Sequence, residues 1–218
     1  MELNNWESRS VAFLTKAFDD DAIDIIRSLE DINPTRIMEI GFGNNRLLPY
    51  ILNNFYPGID YYGFDKTTTF ISRARLQFKL PGVSFSGLDI SRSKHLESKI
   101  TKHNPDVLIL RYILEHVPDW KRVVSELNEY KIPSILISIY TPEPRYTSWS
   151  MKEIDKENDL SYTINFIHGG QLNEILNNYN LVKDTNYKDV PHRFKHFKLV
   201  EEEDEKGPTY ATDPVGTM

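Results

Sequence analysis

The residues of this 218-residue chain best placed to do chemistry are a glycine turn, two acids and a histidine, each at the end of an apolar run. Glu39-Ile40-Gly41-Phe42-Gly43-Asn44-Asn45 stands between an apolar run and an amphipathic one. Glycines let a chain turn tightly and bring its backbone against a ligand. The first turn of a following helix directs free N–H groups to the same place. Alone, the turn fits a ligand-free connection equally well. Asp65 stands 24 positions after Gly41, and Asp89 closes the next apolar run. An acid at the first position can accept hydrogen bonds from both ribose hydroxyls of a nucleoside, and one at the second from an exocyclic adenine amine. The plainer readings are that Asp65 caps a helix starting at Thr67 and that Asp89 caps a turn before Ser91 and Ser93. The shared placement favours a nucleoside. The third position of G-x-G-x-x-G is Arg46, and no G-K-[ST] follows. Dinucleotide and phosphate-cradling loops are therefore disfavoured.

These residues need a frame that brings strand ends together. Ala22, Ile25, Ile26 and Leu29 recur at helical spacing within Asp19 to Ile32, and Asn33-Pro34 ends that helix. Short apolar strands are expected at Arg36 to Ile40, Tyr61 to Phe64, Val83 to Phe85, Asp106 to Leu110 and Ile135 to Ile139. Helices are expected between them. Strands apolar on both faces that alternate with helices make a parallel sheet covered on both sides. Leu181 to Tyr187 and Phe194 to Val200 add two further strands as an antiparallel hairpin. The expected fold is a doubly wound, Rossmann-like α/β sheet of seven strands, mostly parallel, with its ligand off the carboxyl ends of the strands. Tyr140 to Asp159 reads as a long loop or lid, and Gln171 to Tyr179 as the last helix. The organisation expected is a helical extension over 1–33, the main domain over 34–200, and a disordered acidic tail over 201–218.

Composition narrows the classes. There is no cysteine, which removes disulfides, thiolate catalysis and cysteine-based zinc sites. No apolar run approaches the roughly 20 residues of a membrane-spanning helix. The first ten residues lack the features of a secretory signal, so a cytoplasmic protein is expected. The net charge of −6 gives no global attraction to nucleic acid. No histidine and carboxylate spacing suggests a metal site.

The chain resembles the class I S-adenosylmethionine-dependent methyltransferases from about Arg36 to Ile139. Glu39-x-Gly41-x-Gly43 is similar to that family's first motif, and Leu114-Glu115-His116-Val117-Pro118-Asp119 to its stretch after the fourth strand. The resemblance implies S-adenosylmethionine as cofactor. It implies cofactor contacts at Glu39, Gly41, Phe42, Gly43, Asn45, Asp65, Lys66, Asp89, Ile90 and Arg111. Two positions depart from the pattern. Asn45 stands where a third glycine is common, and asparagine enters left-handed backbone more readily than most residues. Arg111 replaces a smaller polar residue.

His116 is the candidate general base or acceptor-positioning residue, since an unperturbed imidazole titrates near neutral pH. The alternative is a structural histidine before Pro118. His168, beside Gly169-Gly170, comes next. His192 and His196 read as surface residues. Tyr140, Tyr146 and Trp149 can close over an acceptor or pack as core. The N-P-P-Y-type motif is absent, so the expected acceptor is a small-molecule hydroxyl or amine. The alternatives are a methyltransferase acting on tRNA or another macromolecule, and a non-catalytic, cofactor- or partner-binding member of the fold.

Overall fold

Each of the five runs read as apolar strands folds as a strand; four are largely buried, and the edge strand Val83–Gly87 buries only Phe85. The structure is a computed structural model that describes residues 18–140, 149–155, 160–187 and 192–200. Within it, α1 (Phe18–Ile32) leads into β1 (Arg36–Ile40), α2 (Leu48–Phe55), β2 (Asp60–Asp65) and α3 (Thr68–Gln77). Then come β3 (Val83–Gly87), α4 (Ser93–His103), β4 (Val107–Arg111), a single 3-10 turn (Leu114–His116) and α5 (Trp120–Glu129). The chain continues through β5 (Ser134–Tyr140), β6 (Trp149–Asp155), β7 (Leu160–Phe166), α6 (Gly169–Ile175), β8 (Tyr179–Asn186) and β9 (His192–Leu199).

The main sheet has seven strands in the order β3-β2-β1-β4-β5-β9-β8. Strands β1 to β5 pair in parallel. Strand β9 runs antiparallel to both of its neighbours, which makes the terminal hairpin. The doubly wound, seven-stranded reading therefore holds.

Alternation along the strands divides the core in two. Met38, Ile40, Leu108, Leu110, Ile135 and Ile137 face the side covered by α4, α5 and α6. Ile37, Val107, Ile109 and Leu136 face the side of α1, α2 and α3, where Ala22, Ile25, Leu29 and Ile51 meet them. Full burial of such a side chain is worth roughly 1.5–3 kcal/mol, so the two layers set the position of every strand end. At the amino ends of β1 and β4, Asp106 accepts from the backbone N–H groups of Thr35 and Arg36 and from the Arg36 guanidinium.

The segment expected to be a loop or lid is different. Residues 149–155 and 160–166 pair as an antiparallel hairpin with its own two-stranded sheet. The overlooked signal is the alternation of Leu160, Tyr162, Ile164 and Phe166 with Ser161, Thr163 and Asn165. Helix α6 also begins two residues earlier than expected, because the His168 side chain accepts from Gly170 N. It stops at Ile175, and Tyr179 opens β8 instead.

Candidate cofactor and acceptor site

The glycine turn takes left-handed backbone at three positions. Gly41 has φ +78°, Gly43 +51° and Asn45 +55°. Gly41 N donates to Phe64 O at 2.7 Å, and Asn45 N to Phe42 O at 2.9 Å. A Cβ on Gly41 would lie 2.8 Å from Ile113 Cδ1, so this position is closed to any larger residue. Beside Gly43 nothing lies within 4 Å of a built Cβ, which leaves open space at the turn. The Phe42 ring packs edge-on to Phe85, with centroids 5.3 Å apart. Phe42 therefore turns its ring into the core. Asn45 is buried, and among the described residues its Oδ1 has no hydrogen-bond partner.

Both acids found from sequence stand at the same rim. Asp65 accepts from Gly43 N at 3.0 Å and from Thr67 N at 2.8 Å. It braces the glycine turn and the entry to α3 together, and a carboxylate retains further acceptor capacity beyond those two bonds. Asp89 accepts from Ser91 N at 3.1 Å and Ser91 Oγ at 2.6 Å. These Ser91 bonds hold its carboxyl below the usual range, against the opposing effect of burial. Asp89 thus meets the plainer turn-capping role, whereas Asp65 bonds the residue before α3 and does not cap the helix itself; neither carboxylate is closed to a ligand. Lys66 is exposed, and its charge acts on both Asp89 and His116. Ile90 is buried in the core layer on the α4 side. The open Gly43, the unpartnered Asn45 Oδ1 and the two carboxylates suit a nucleoside with hydroxyl and amine donors.

The β4 side is organised by distant partners. Glu39 is buried and accepts from Tyr61 OH at 2.5 Å. Burial pushes its carboxyl above the usual range, while Arg111 acts in the opposite sense. Arg111, expected to touch the cofactor, has its guanidinium bound by Asp21 of α1. Nε reaches Oδ2 at 2.8 Å and Nη2 reaches Oδ1 at 2.7 Å. Sequence alone did not reveal Asp21, because its partner is 90 residues away. Tyr112, next in the chain, has φ +50°, and its ring centroid lies 5.8 Å from Arg111 Cζ.

The turn after β4 carries two titratable neighbours with opposite behaviour. Burial, helped by Lys66, pulls His116 down to about 4. Burial pushes Glu115 up to about 7. Glu115 Oε1 accepts from Tyr140 N, and among the described residues Oε2 has no partner. Asn165 of β7 donates to Glu115 O at 3.2 Å and Val117 O at 2.8 Å, which anchors the hairpin to this turn. Glu115 lay within the recognised stretch but was not singled out, since its burial depends on β5 and β7. His168 caps α6. His196 is not on the surface as expected. It is buried, because β9 is an interior strand between β5 and β8 and is covered on both faces. His192 and Trp149 open β9 and β6, and Tyr146 lies outside the described residues.

Among the described residues, no group of three or more His, Asp and Glu is placed to hold a metal ion. None of their helices is long and apolar enough to cross a membrane. An open depression bounded by Thr35, Arg36, Pro57 and Asp60 lies at the opposite, amino end of the strands, away from this chemistry.

Comparison with known proteins agrees with the geometry. A family described as "Methyltransferase domain" matches residues 13–186. No curated protein matches the sequence. Among solved structures, a S-adenosylmethionine-dependent methyltransferase from Clostridium acetobutylicum aligns with TM-score 0.64 at 13% identity, covering 90% of this chain and 99% of that one. The N-terminal domain of EvdMO1 with SAH bound aligns with TM-score 0.62 at 16% identity, over 84% of this chain and 82% of that one. The Burkholderia thailandensis 1,6-didemethyltoxoflavin-N1-methyltransferase, with 1,6-didemethyltoxoflavin and S-adenosylhomocysteine bound, also gives 0.62, at 13% identity over 90% and 84%. With a glycine turn and two acids at the rim of this seven-stranded sheet, and the family match over most of its length, the chain belongs to the S-adenosylmethionine-dependent methyltransferases.

Proposed function

We propose that this methyltransferase acts on a hydroxyl or amine of a small molecule. The observation that carries the reading is the withdrawal of Glu115, and in part of His116, from water in the turn after β4. Glu115 is 2% exposed, and burial dominates the displaced pKa of both Glu115 and His116. Titratable groups withdrawn from water suit a small, enclosed acceptor better than a macromolecular surface. The toxoflavin-precursor enzyme among the similar structures was crystallised with a small-molecule acceptor of its own.

In this reading Glu39, Gly41, Phe42, Gly43, Asn45, Asp65, Lys66, Asp89, Ile90 and Arg111 form the cofactor-binding rim. S-adenosylmethionine supplies an electrophilic methyl group on a sulfonium. His116 stays neutral at working pH, so its ring accepts a hydrogen bond from the acceptor's O–H or N–H and holds it in line. With a conjugate acid near 4 it is too weak a base to strip a hydroxyl in advance; on a hydroxyl acceptor it takes the proton only as the bond to methyl forms and the sulfur–methyl bond breaks, then releases it to water. Positioning and water exclusion then supply most of the rate.

The test is to incubate the protein with S-adenosylmethionine and separate panels of sugars, small amines and unmodified tRNA, and to follow S-adenosylhomocysteine. Turnover confined to small molecules supports the proposal. Turnover on tRNA alone overturns it, and cofactor binding without turnover on any panel favours the non-catalytic alternative. Full activity in His116→Ala would remove the role given to that ring.

A further inference from the structure

Asp21 and Arg111 form a two-point ion pair inside the protein. Asp21 is 0% and Arg111 7% exposed, with contacts of 2.8 and 2.7 Å. The pair stands at the glycine turn. Strand pairing sets Ile40 opposite Leu110, so Arg111 is level with Gly41. Ile113, two residues on, occupies the space above Gly41. Alternation puts Arg111 on the same face of the sheet as Ile109 and α1, together with Glu39. The charges of Arg111, Asp65 and Asp21 all register at Glu39. This corner therefore gathers three buried carboxylates and one buried guanidinium.

Removing the Asp21 charge here would shift the potential at the turn toward positive, and any ligand there would feel that shift with little screening. The methyl donor carries a positive sulfonium, whereas its demethylated product carries a neutral thioether. A shift toward positive potential opposes the first and hardly affects the second.

We infer that Asp21 is the counter-ion that cancels Arg111 at the donor-binding turn, so that the pair sets the preference for S-adenosylmethionine over its neutral-sulfur product. The inference rests on the donor binding at that turn. It gives α1 a part in cofactor selection through charge, and makes Asp21 and Arg111 positioning and specificity residues.

The test is calorimetric titration of the full chain with S-adenosylmethionine and, separately, S-adenosylhomocysteine, with thermal melts to verify folding. Asp21→Asn is expected to weaken donor binding about tenfold more than product binding. Arg111→Met is expected to move the ratio the other way, and the paired Asp21→Asn/Arg111→Met protein to return it toward wild type. A purely structural pair would shift both ligands by one common factor, and that result overturns the inference. If Asp21→Asn does not fold, Arg111→Met against the paired protein reads the same ratio. Wild-type protein that binds neither ligand sinks the donor reading itself. Binding of both with a ratio that no variant moves sinks only the inference.

Discussion

The two halves of the rim satisfy their polar groups in different ways. On the glycine side, Asp65 bonds to residues 22 and 2 positions away, and Asp89 to one 2 positions away. On the β4 side, Arg111 reaches a partner 90 positions away, Asn165 reaches back 50, and Glu115 takes the N–H of Tyr140, 25 positions on. Apart from the Asp65–Gly43 bond, which ties two neighbouring strand ends, the bonds of the first half are local turn chemistry, which any segment carries with it. The second exists only once α1, β5 and β7 are docked. It follows that damage on the β4 side should propagate into global stability, whereas damage on the glycine side should stay close to the ligand.

The largest effect that would break this comparison is Arg111→Met. Removing one partner of a buried pair costs about 3–5 kcal/mol, and the loss should appear as a lowered denaturation midpoint. A change within about 0.5 kcal/mol would show the pair to be dispensable. Next is Glu115→Gln. The folded state holds this carboxyl near 7 against an ordinary 4.5, so it favours the proton. Its stability is complete below pH 4.5 and is lost as pH rises to about 7. The variant should therefore gain on wild type across that window, reaching about 3 kcal/mol as an upper limit. His116 has the opposite sign. Its neutral form is favoured, and stability is lost as pH falls from 6.5 to about 4. Equal pH slopes for wild type and Glu115→Gln in chemical melts would refute the assignment.

Gly41→Ala and Gly43→Ala sharpen the comparison, because Gly41 is where the halves touch. Both pay for left-handed backbone, about 1–2 kcal/mol, but only Gly41→Ala also strikes Ile113. Thermal melts should rank Gly41→Ala as the more damaging. Asp65→Ala should leave the fold largely intact and weaken cofactor binding by about tenfold, from the loss of roughly 1.5–3 kcal/mol of charged hydrogen bonding. Unchanged calorimetric affinity would confine Asp65 to bracing the turn.

The same division explains what could be read in advance. Apolar strands with turn residues at their ends made β1 to β5 legible, because sheet burial leaves a local pattern. Gly41, Gly43, Asp65 and Asp89 were legible for the same reason, and the left-handed Asn45 follows from a property of asparagine itself. Asp21 was unremarkable among the three consecutive acids Asp19, Asp20 and Asp21, since nothing local tells which one will face Arg111. Glu115 and His196 were misjudged or passed over because burial by β5, β7 and β8 is a tertiary fact. The β6–β7 hairpin hid behind the proline- and tyrosine-rich residues before it, although its second strand alternates plainly.

That hairpin forms no rung of the main sheet and is tethered to the turn through Asn165, whose Nδ2 donates to two backbone carbonyls. Carbonyls are present whatever side chain a position carries. So long as Asn165 stays, the other side chains of the hairpin, and most of the turn beneath it, can change without unfastening that joint. The hairpin and the glycine turn are free to change at separate rates in one fold.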